Sequence, residues 1–449
     1  MLKNENKIGL TTIQLLVSGF VVIILLGTFL LMLSISVAGN EKISFIDALF
    51  TVTSAITTTG LVVVDTGSFF TIFGQVVIII LVQIGGLGYM IFLAMVMAGL
   101  RKRISFSSMY LLHESIGMPS SEDWLKFSTK IILFTLFFEM TGIVLLSFYW
   151  SKSFTVPEAL YSGVFHSISA FCTAGFSLYP DGFIAYRDSI FFNGTVILIC
   201  IAGSIGFIVL NDLYVFGKQI IHRKYPRRFS EHTKLAVLVM TILIIMGIIL
   251  MYFVPGQTVA SHAKERLLFS IFQIVTASTT TGFNTVNIGT LAVPILWVIT
   301  ILMFIGCCPG GTGGGIKTTT FGLILSSVRS MFMGREDITV FQRKVSSEMI
   351  MRAYSVAIIA IIWVIIASGI LFVTESGLSV QSILFEVSSA FGTVGLSAGI
   401  TPLLSPTGKI IITFTMFLGR IGPVAIGYSL VGKPPHAKYT YPKAEILVG

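Results

Sequence analysis

The sequence predicts an all-α polytopic membrane protein with four pseudosymmetric repeats, each consisting of a span, a half-helix, a turn and a second span. Of its 449 residues, 54% are hydrophobic and 11% are charged, and the mean hydropathy is +0.93. A soluble domain carries about 25% charged residues. Several uncharged runs exceed the roughly 20 residues that cross a bilayer. In addition, one short motif occurs four times along the chain.

The recurring motif keeps an alanine, a threonine three positions later, a glycine two positions after that, and then Leu or Phe. Its copies occupy residues 54–61, 169–176, 276–283 and 389–396. Their glycines are separated by 115, 107 and 113 residues. These intervals are too long for a solenoid and suit four domain-sized duplicates. The predicted units are repeat I (1–103), repeat II (104–228), repeat III (229–343) and repeat IV (344–449).

Each repeat contains two long apolar runs with a shorter one between them. We expect the long runs to form eight transmembrane helices, at 8–40, 66–100, 131–150, 189–211, 235–254, 291–306, 353–374 and 410–430. The shorter runs, at 45–56, 156–171, 267–278 and 380–391, suit re-entrant half-helices that cannot span a bilayer. Because the motif follows each half-helix, four re-entrant loops are expected around a central pore.

Basic residues are unevenly distributed. The termini and the three linkers between repeats hold 22 of the 29 Lys and Arg residues, whereas the turns inside the repeats hold six. The positive-inside rule therefore predicts a multi-pass protein of the cell membrane with both termini in the cytoplasm. The formal net charge of +9 then reflects topology, and no nucleic-acid partner is expected. We expect no cleavable signal peptide, and the four cysteines suit buried thiols.

The four turns have the composition of a cation filter. Irregular backbone at membrane depth must be buried in protein or line a water-filled cavity, and backbone carbonyls can replace the hydration shell of a monovalent ion. The turns contain no carboxylate, which disfavours a divalent site. The predicted filter comprises Thr57, Thr58, Thr59 and Gly60; Cys172, Thr173, Ala174 and Gly175; Thr279, Thr280, Thr281 and Gly282; and Gly392, Thr393, Val394 and Gly395. The alternative, a helix-packing patch of small residues, does not explain four copies in register.

A glycine-rich break interrupts the second run of repeat III between residues 306 and 317. Pro309 and six glycines cannot continue a stable helix there. We expect this segment to lie on the cytoplasmic side of the filter as an intramembrane gate. The predicted gate residues are Gly306, Gly310, Gly311, Gly313, Gly314, Gly315, Lys317 and Arg420. A passive kink is the alternative. A phosphate loop is disfavoured because its lysine would be displaced by one residue.

Arg420 lies inside the last predicted span. An arginine near mid-membrane costs roughly 2.5–3.5 kcal/mol on insertion scales, so it should face the protein interior or water. We expect it beside the gate, as a positive barrier or as a clamp on backbone carbonyls. The alternative is an ion pair with Glu139 or Asp212. Glu139 is itself a candidate proton relay, or else hydrogen-bonded structure.

These motifs resemble the Ktr/Trk/HKT superfamily of potassium transporters, and most closely the bacterial Ktr membrane subunit (KtrB/KtrD type). The resemblance covers nearly the whole chain and rests on the four filter motifs, on residues 313–318 and on residues 419–423. In that superfamily, glycine at all four filter positions accompanies K⁺ selectivity. The resemblance also implies a homodimer with one pore per chain, a separate cytoplasmic ring of nucleotide-binding regulatory subunits (KtrA/KtrC type), and Na⁺ dependence.

The resulting expectation is K⁺ uptake through a fourfold filter in the lipid bilayer, gated by segment 306–317. Nucleotide would act only through the separate regulatory subunit. Two related alternatives are coupled symport of K⁺ with Na⁺ or H⁺ and an Na⁺-permeable member of the superfamily. An enzyme is not expected, because the ionisable residues within the spans are isolated and form no catalytic cluster.

Overall fold

The computed structural model of the chain describes residues 12–39, 41–88, 124–223, 228–254 and 263–422. This part of the chain is predominantly helical, as predicted. The helices are α1 (Thr12–Met32), α2 (Phe45–Ile56), α3 (Thr66–Phe69), α4 (Ile72–Leu87), α5 (Trp124–Trp150), α6 (Val156–Phe171), α7 (Ile190–Ser204), α8 (Phe207–Ile221), α9 (Glu231–Phe253), α10 (Ala263–Ser278), α11 (Val293–Phe304), α12 (Thr318–Phe332), α13 (Ser347–Thr374), α14 (Val380–Gly392) and α15 (Pro406–Ile421). A two-residue hairpin, β1 (Thr339–Val340) with β2 (Arg343–Lys344), links α12 to α13.

The same packing plan occurs four times. In each repeat the first helix packs against the half-helix, and the half-helix packs against the second long helix of the repeat, which is α4, α7, α11 or α15. This second helix also packs against the half-helix of the next repeat: α4 against α6, α7 against α10, α11 against α14, and α15 against α2. The last of these contacts joins repeat IV back to repeat I, so the four half-helices stand in a closed ring.

The half-helices have the positions that the apolar runs predict. The bounds of α2 and α6 coincide with the predicted 45–56 and 156–171, whereas α10 begins four residues earlier than predicted and α14 ends one residue later. Ser44 and Ser379 cap their helices by accepting N–H bonds at N3, and Thr155 forms a capping box with Glu158. These caps satisfy donors at helix ends that have no intrahelical partner.

The second helices differ from the predicted uninterrupted spans. α4, α7 and α15 have only 16, 15 and 16 residues. The 12-residue α11 ends at Phe304, next to the break that is expected from residue 306. The predicted span over 189–211 is not one continuous helix, because α7 and α8 are bent by 103° at residues 205–206. Gly206 has φ +94°, and a Cβ there would approach the carbonyl of Pro309. A side chain at this position would therefore be strained in a way that glycine is not.

The last helix also ends earlier than predicted. α15 ends at Ile421, where Gly422 with φ +92° closes it, so Arg420 lies in the final turn of this helix. α4 likewise ends at Leu87, before Gly88 with φ +78°. Residues 89–123 and 423–449 contain the predicted boundary between repeats I and II and the ends of two predicted spans, and they lie outside the described residues.

Among the described helices, three are long and apolar enough to cross a bilayer, or four if the bent α7–α8 pair counts as one span. They lie in the first helices of repeats II, III and IV, at Lys126–Trp150, Glu231–Phe253 and Ser347–Thr374. Their outward faces carry exposed Leu, Ile, Val and Phe side chains. A surface of this kind is stable against hydrocarbon, whereas in water it would favour aggregation.

Candidate functional site

Each half-helix ends in the same hydrogen-bonded turn. In repeat I the Thr58 N–H donates to the Ala55 carbonyl at 3.1 Å, and the Thr59 N–H donates to the Ser54 carbonyl at 2.8 Å. This pair of bonds is the Schellman motif, which requires a left-handed residue at the helix end. The equivalent bonds recur in the other three repeats at 2.8–3.2 Å. The alanine of the sequence motif therefore supplies a carbonyl that fixes the turn.

The left-handed residue is a threonine in all four repeats. The four are Thr58, Thr173, Thr280 and Thr393, with φ between +51° and +55°. Glycine is the usual occupant of this position, and a β-branched residue with positive φ is a genuine outlier. The strain costs on the order of 1–3 kcal/mol per residue and persists where function requires the side chain. The four threonine hydroxyls are therefore the first sign of a functional site.

The filter glycines form a closed ring. All four have positive φ, between +66° and +89°. A Cβ on any of them would collide with a backbone carbonyl oxygen of the next repeat. The pairs are Gly60 with Ala174, Gly175 with Thr281, Gly282 with Val394, and Gly395 with Thr59. Because the four contacts run in cyclic order, the predicted filter residues are brought together, and only glycine fits these positions.

The predicted gate segment lies directly against the filter threonines. The Gly314 N–H donates to Thr393 Oγ1 at 2.8 Å, and the Thr173 and Thr312 hydroxyls are 3.0 Å apart. The Thr58 hydroxyl donates to the Thr312 carbonyl at 3.1 Å. The gate segment is thus hydrogen-bonded to three of the four left-handed threonines.

The fourth threonine contacts the gate segment without a hydrogen bond. A Cβ on Gly313 would overlap Thr280 Oγ1, so Gly313 leaves just enough room for that hydroxyl. Within the described part of the chain, Thr280 Oγ1 is buried and has no hydrogen-bond partner. A buried hydroxyl of this kind is usually satisfied by water or an ion. The ring of four hydroxyls is therefore covered from one side by residues 312–314.

Arg420 lies beside the same segment, as predicted. Its guanidinium donates to the carbonyls of Thr312 and Gly85 and to Thr58 Oγ1, the last at 3.1 Å. The guanidinium thus bonds to the gate segment, to α4 and to the filter at the same time. The predicted alternative partners are engaged elsewhere: Asp212 accepts from Ser230 and Thr233, and Glu139 is bonded to Gln83.

Lys317 forms hydrogen bonds within the gate segment. Its ammonium donates to the Gly313 carbonyl at 2.5 Å and to the Gly314 carbonyl at 3.3 Å. It is also 3.5 Å from Cys307 Sγ. An irregular backbone inside a membrane needs partners for its polar groups. Lys317 supplies them for two of the glycines that carry no side chain of their own.

The break between α7 and α8 holds the other side of the gate segment. The Thr312 N–H donates to the Gly203 carbonyl and the Cys308 N–H to the Ser204 carbonyl, both at 3.1 Å. The Phe207 N–H donates to the Gly310 carbonyl at 3.0 Å. The bend in repeat II therefore binds the glycine-rich segment of repeat III through backbone hydrogen bonds.

Two parts of this site escaped the sequence prediction. Thr312 bonds to Thr58 and Thr173 of the filter, but within a run of glycines it carries no distinguishing signal. The Gly203–Gly206 pair was the available sign of the bend, and an apolar run that contains glycines is ordinary in a membrane helix. Thr312 and Gly203 are hydrogen-bonded to each other although they lie more than 100 positions apart along the chain.

A cavity of about 270 Å³ lies on the other side of the glycine ring. All four filter glycines line it, together with Asp65 and Asp181, and its lining contains no Lys or Arg. The two aspartates make the mouth of this cavity anionic, and a cavity lined by negative charge raises the local concentration of cations. The glycine ring thus separates this open cavity from the gate segment.

The family model of the TrkH cation transport proteins matches residues 10–431 of the chain. The chain belongs to this family. It is thus a membrane transport protein of the TrkH family and not an enzyme, as the isolated ionisable residues predicted. The TrkH family assignment also confirms the resemblance that the filter motifs indicated.

Two relatives match this TrkH family chain over nearly the whole length of both proteins. It is 37% identical to the Ktr system potassium uptake protein B of Bacillus subtilis, over 97% of this chain and 96% of the relative. It is 34% identical to the potassium/sodium uptake protein NtpJ of Enterococcus hirae, over the whole of both chains. The fold matches the crystal structure of the potassium transporter TrkH from Vibrio parahaemolyticus with a TM-score of 0.75 at 18% identity, over 96% of this chain and 86% of that one.

Proposed function

We propose that the chain is the ion-translocating subunit of a Ktr-type potassium uptake system in the cytoplasmic membrane. The ring of four filter glycines carries this proposal. Each glycine follows a left-handed threonine by two positions, with a residue of negative φ between them. Such alternation turns successive carbonyls of an extended strand toward one side. Four strands of this kind supply the oxygens that replace the hydration shell of a monovalent cation.

The absence of carboxylates from the ring favours K⁺ over a divalent ion, because Ca²⁺ and Mg²⁺ sites use Asp and Glu oxygens. The names of the Bacillus subtilis and Enterococcus hirae relatives, both potassium uptake proteins, support the same ion. Four half-helix C-termini that surround one axis add partial negative charge, which also favours a cation. K⁺ is therefore the transported ion in this proposal.

The proposed architecture has eight spans and four re-entrant loops, in repeats 1–103, 104–228, 229–343 and 344–449. Both termini and the linkers between repeats lie in the cytoplasm, according to the distribution of Lys and Arg. The anionic cavity then opens to the outside, and the gate segment lies on the cytoplasmic side of the filter. K⁺ enters through the cavity, loses water at the glycine ring and leaves past residues 306–317.

In this proposal the gate segment closes the path on the cytoplasmic side of the filter. Thr312, Gly313 and Gly314 cover the threonine hydroxyls, and Arg420 and Lys317 hold the backbone in that place. Opening then requires the Thr312 and Gly314 contacts with the filter to break. A hydrogen-bonded plug of this kind has two discrete arrangements, which a regulatory partner can bias.

A second candidate is a transporter that also carries Na⁺ or depends on it. The observation in its favour is the Enterococcus hirae relative, which is named a potassium/sodium uptake protein. A symporter in which Na⁺ or H⁺ drives K⁺ entry belongs to the same alternative. For protons the candidate is Glu139, which is buried and has one carboxylate oxygen without a partner among the described residues.

The relatives named as members of a Ktr system imply that further components take part. We assign one complete pore to each chain, since a single chain already closes the ring of four filter strands. The homodimer in this proposal rests on the resemblance to the Ktr membrane subunits. Regulation by nucleotide would come from a separate cytoplasmic ring of nucleotide-binding subunits that biases the gate segment.

The test is ⁸⁶Rb⁺ flux into proteoliposomes that contain the purified chain, with and without its regulatory ring and with and without Na⁺. We expect Rb⁺ entry that excess K⁺ suppresses and that empty liposomes lack. Stimulation by Na⁺ would support the Na⁺-dependent form. Absence of flux under all four conditions, with correctly folded and inserted protein, would exclude the transport function.

A further inference from the structure

The four repeats place a polar or charged residue at one common register behind the filter. This position lies nine residues before the filter glycine, on the half-helix. Its occupants are Thr51, His166, Gln273 and Glu386, and all four are at most 1% exposed. A buried polar side chain must be hydrogen-bonded or it destabilises the fold. What each of the four bonds to differs from repeat to repeat.

Glu386 in repeat IV is bonded to the strand that leaves the filter. Its carboxylate accepts the hydroxyl of Ser397 at 2.9 Å and the hydroxyl of Thr401. Ser397 lies two residues beyond the filter glycine and lines the outer cavity. A single buried carboxylate therefore fixes the outer strand of repeat IV through two hydroxyl donors.

His166 in repeat II makes the equivalent bonds with an imidazole. Its Nε2 lies 3.2 Å from the backbone N of Leu178 and 3.3 Å from the hydroxyl of Ser177. Because Nε2 accepts the Leu178 N–H, the proton is on Nδ1, which donates to the Ser162 carbonyl at 2.8 Å. Tyr179 stacks on the ring at an interplanar angle of 6°. Ser177 has the same offset from His166 as Ser397 has from Glu386.

Repeats I and III lack this connection. Thr51 donates to the Asp47 carbonyl of its own helix at 2.8 Å. Gln273 has no partner for either side-chain polar atom within the described part of the chain. The residue that could meet it, Asn284, instead donates to the Val286 carbonyl. The outer strands of repeats I and III are therefore not tied to their half-helices at this register.

The two connected repeats stand opposite each other. The glycine contacts run from repeat I to II, III, IV and back to I, so II and IV are diagonal. The two strands that are tied to their half-helices at this register therefore face each other across the ring.

We infer that His166 and Glu386 are positioning residues that set ion discrimination by holding the filter strands of repeats II and IV from behind. The inference rests on the proposed function as a cation filter. Discrimination between K⁺ and Na⁺ depends on how the carbonyl oxygens are placed and how far they relax. Release of one strand lets its glycine carbonyl follow the smaller ion and lowers the advantage of K⁺.

The experiment measures how much unlabelled K⁺ and how much Na⁺ halve ⁸⁶Rb⁺ flux in proteoliposomes. The variants are Glu386→Leu and Glu386→Gln, with His166→Phe and His166→Gln for repeat II. Gln273→Leu is the matched control, because it lies at the same register and its amide has no partner to lose. Ser397→Ala removes one donor with little loss of volume, so it tests the contact even where Glu386→Leu fails to fold.

The K⁺ advantage is the Na⁺ concentration that halves the flux divided by the K⁺ concentration that does so. We expect this ratio to fall roughly two- to tenfold in Glu386→Leu, His166→Phe and Ser397→Ala, which corresponds to about one net hydrogen bond. Glu386→Gln and His166→Gln, which keep an acceptor, should restore most of it, and Gln273→Leu should match the wild type. Unchanged discrimination in Ser397→Ala and in every folded Glu386 and His166 variant would overturn the inference while leaving K⁺ transport intact. A wild type without K⁺ preference would instead overturn the proposed function beneath it.

Discussion

Replacement of Arg420 with glutamine should raise basal ion flux in the absence of any regulatory partner. The guanidinium donates to the Thr312 carbonyl in the gate segment, while its bonds to Gly85 and Thr58 anchor it to the filter and to α4. Of these contacts, the one with Thr312 joins the arginine to the segment that is proposed to move. The closed state therefore loses at least that bond when the arginine is removed.

A hydrogen bond from a charged donor contributes about 1.5–3 kcal/mol. Loss of one such bond in the closed state alone shifts the ratio of closed to open protein roughly tenfold to a hundredfold. Flux through a mostly closed population should rise by the same factor. Arg420→Lys separates the two proposed roles, because lysine keeps the charge but cannot bond two carbonyls through a planar fork. A leak in this variant indicates a clamp, whereas tight closure indicates an electrostatic barrier.

The assay is ⁸⁶Rb⁺ efflux from proteoliposomes at matched protein content. Arg329→Gln is the control, because Arg329 is exposed on α12 and lies outside the gate. If Arg420→Gln and the control show the same basal flux, and the variant still responds to the regulatory ring as the wild type does, Arg420 does not hold the gate.

Three further predictions follow from the same contacts. Gly282→Ala should reduce Rb⁺ flux roughly tenfold or more, because φ +85° alone costs about 1–2 kcal/mol for an L-residue. The control Gly217→Ala, where the added Cβ meets open space, should not reduce it. Equal flux in the two variants would contradict the ring geometry. Thr393→Val should leave the Gly314 N–H unpaired and increase basal leak, and Thr393→Ser should not; leak in both would point to packing instead. In thermal unfolding, a double-mutant cycle of Asp47→Asn and Lys409→Gln should give a coupling of about 1 kcal/mol for their 2.6 Å ion pair, and a coupling of zero would remove its role in joining repeats I and IV.

The half-helices and their turns could be predicted because the evidence for them is local. An apolar run too short to span, followed by a small-residue motif, specifies a helix and the place where it ends. The cyclic order of the repeats is also implicit in a fourfold duplication. That the threonine adopts the left-handed conformation was not predictable, since propensity assigns such positions to glycine. Here tertiary packing overrides the local preference.

The bend between α7 and α8 could not be predicted for a different reason. Residues 189–211 read as one continuous apolar run, and hydropathy does not distinguish a straight helix from a broken one. The bend exists because Gly203, Ser204 and Phe207 bond to the gate segment more than 100 residues later. The same holds for Asp47 and Lys409, which are 362 residues apart. Long-range partners of this kind leave no periodic signal.

The most direct test of the central claim is ion competition at the filter of the wild-type chain. Unlabelled K⁺ and Na⁺ are titrated separately against ⁸⁶Rb⁺ flux in proteoliposomes, and the concentrations that halve the flux are compared. If four uncharged carbonyl strands coordinate one dehydrated monovalent ion, K⁺ should compete at a concentration at least about tenfold lower than Na⁺. Equal competition by the two ions would contradict the account of the glycine ring as a K⁺ filter.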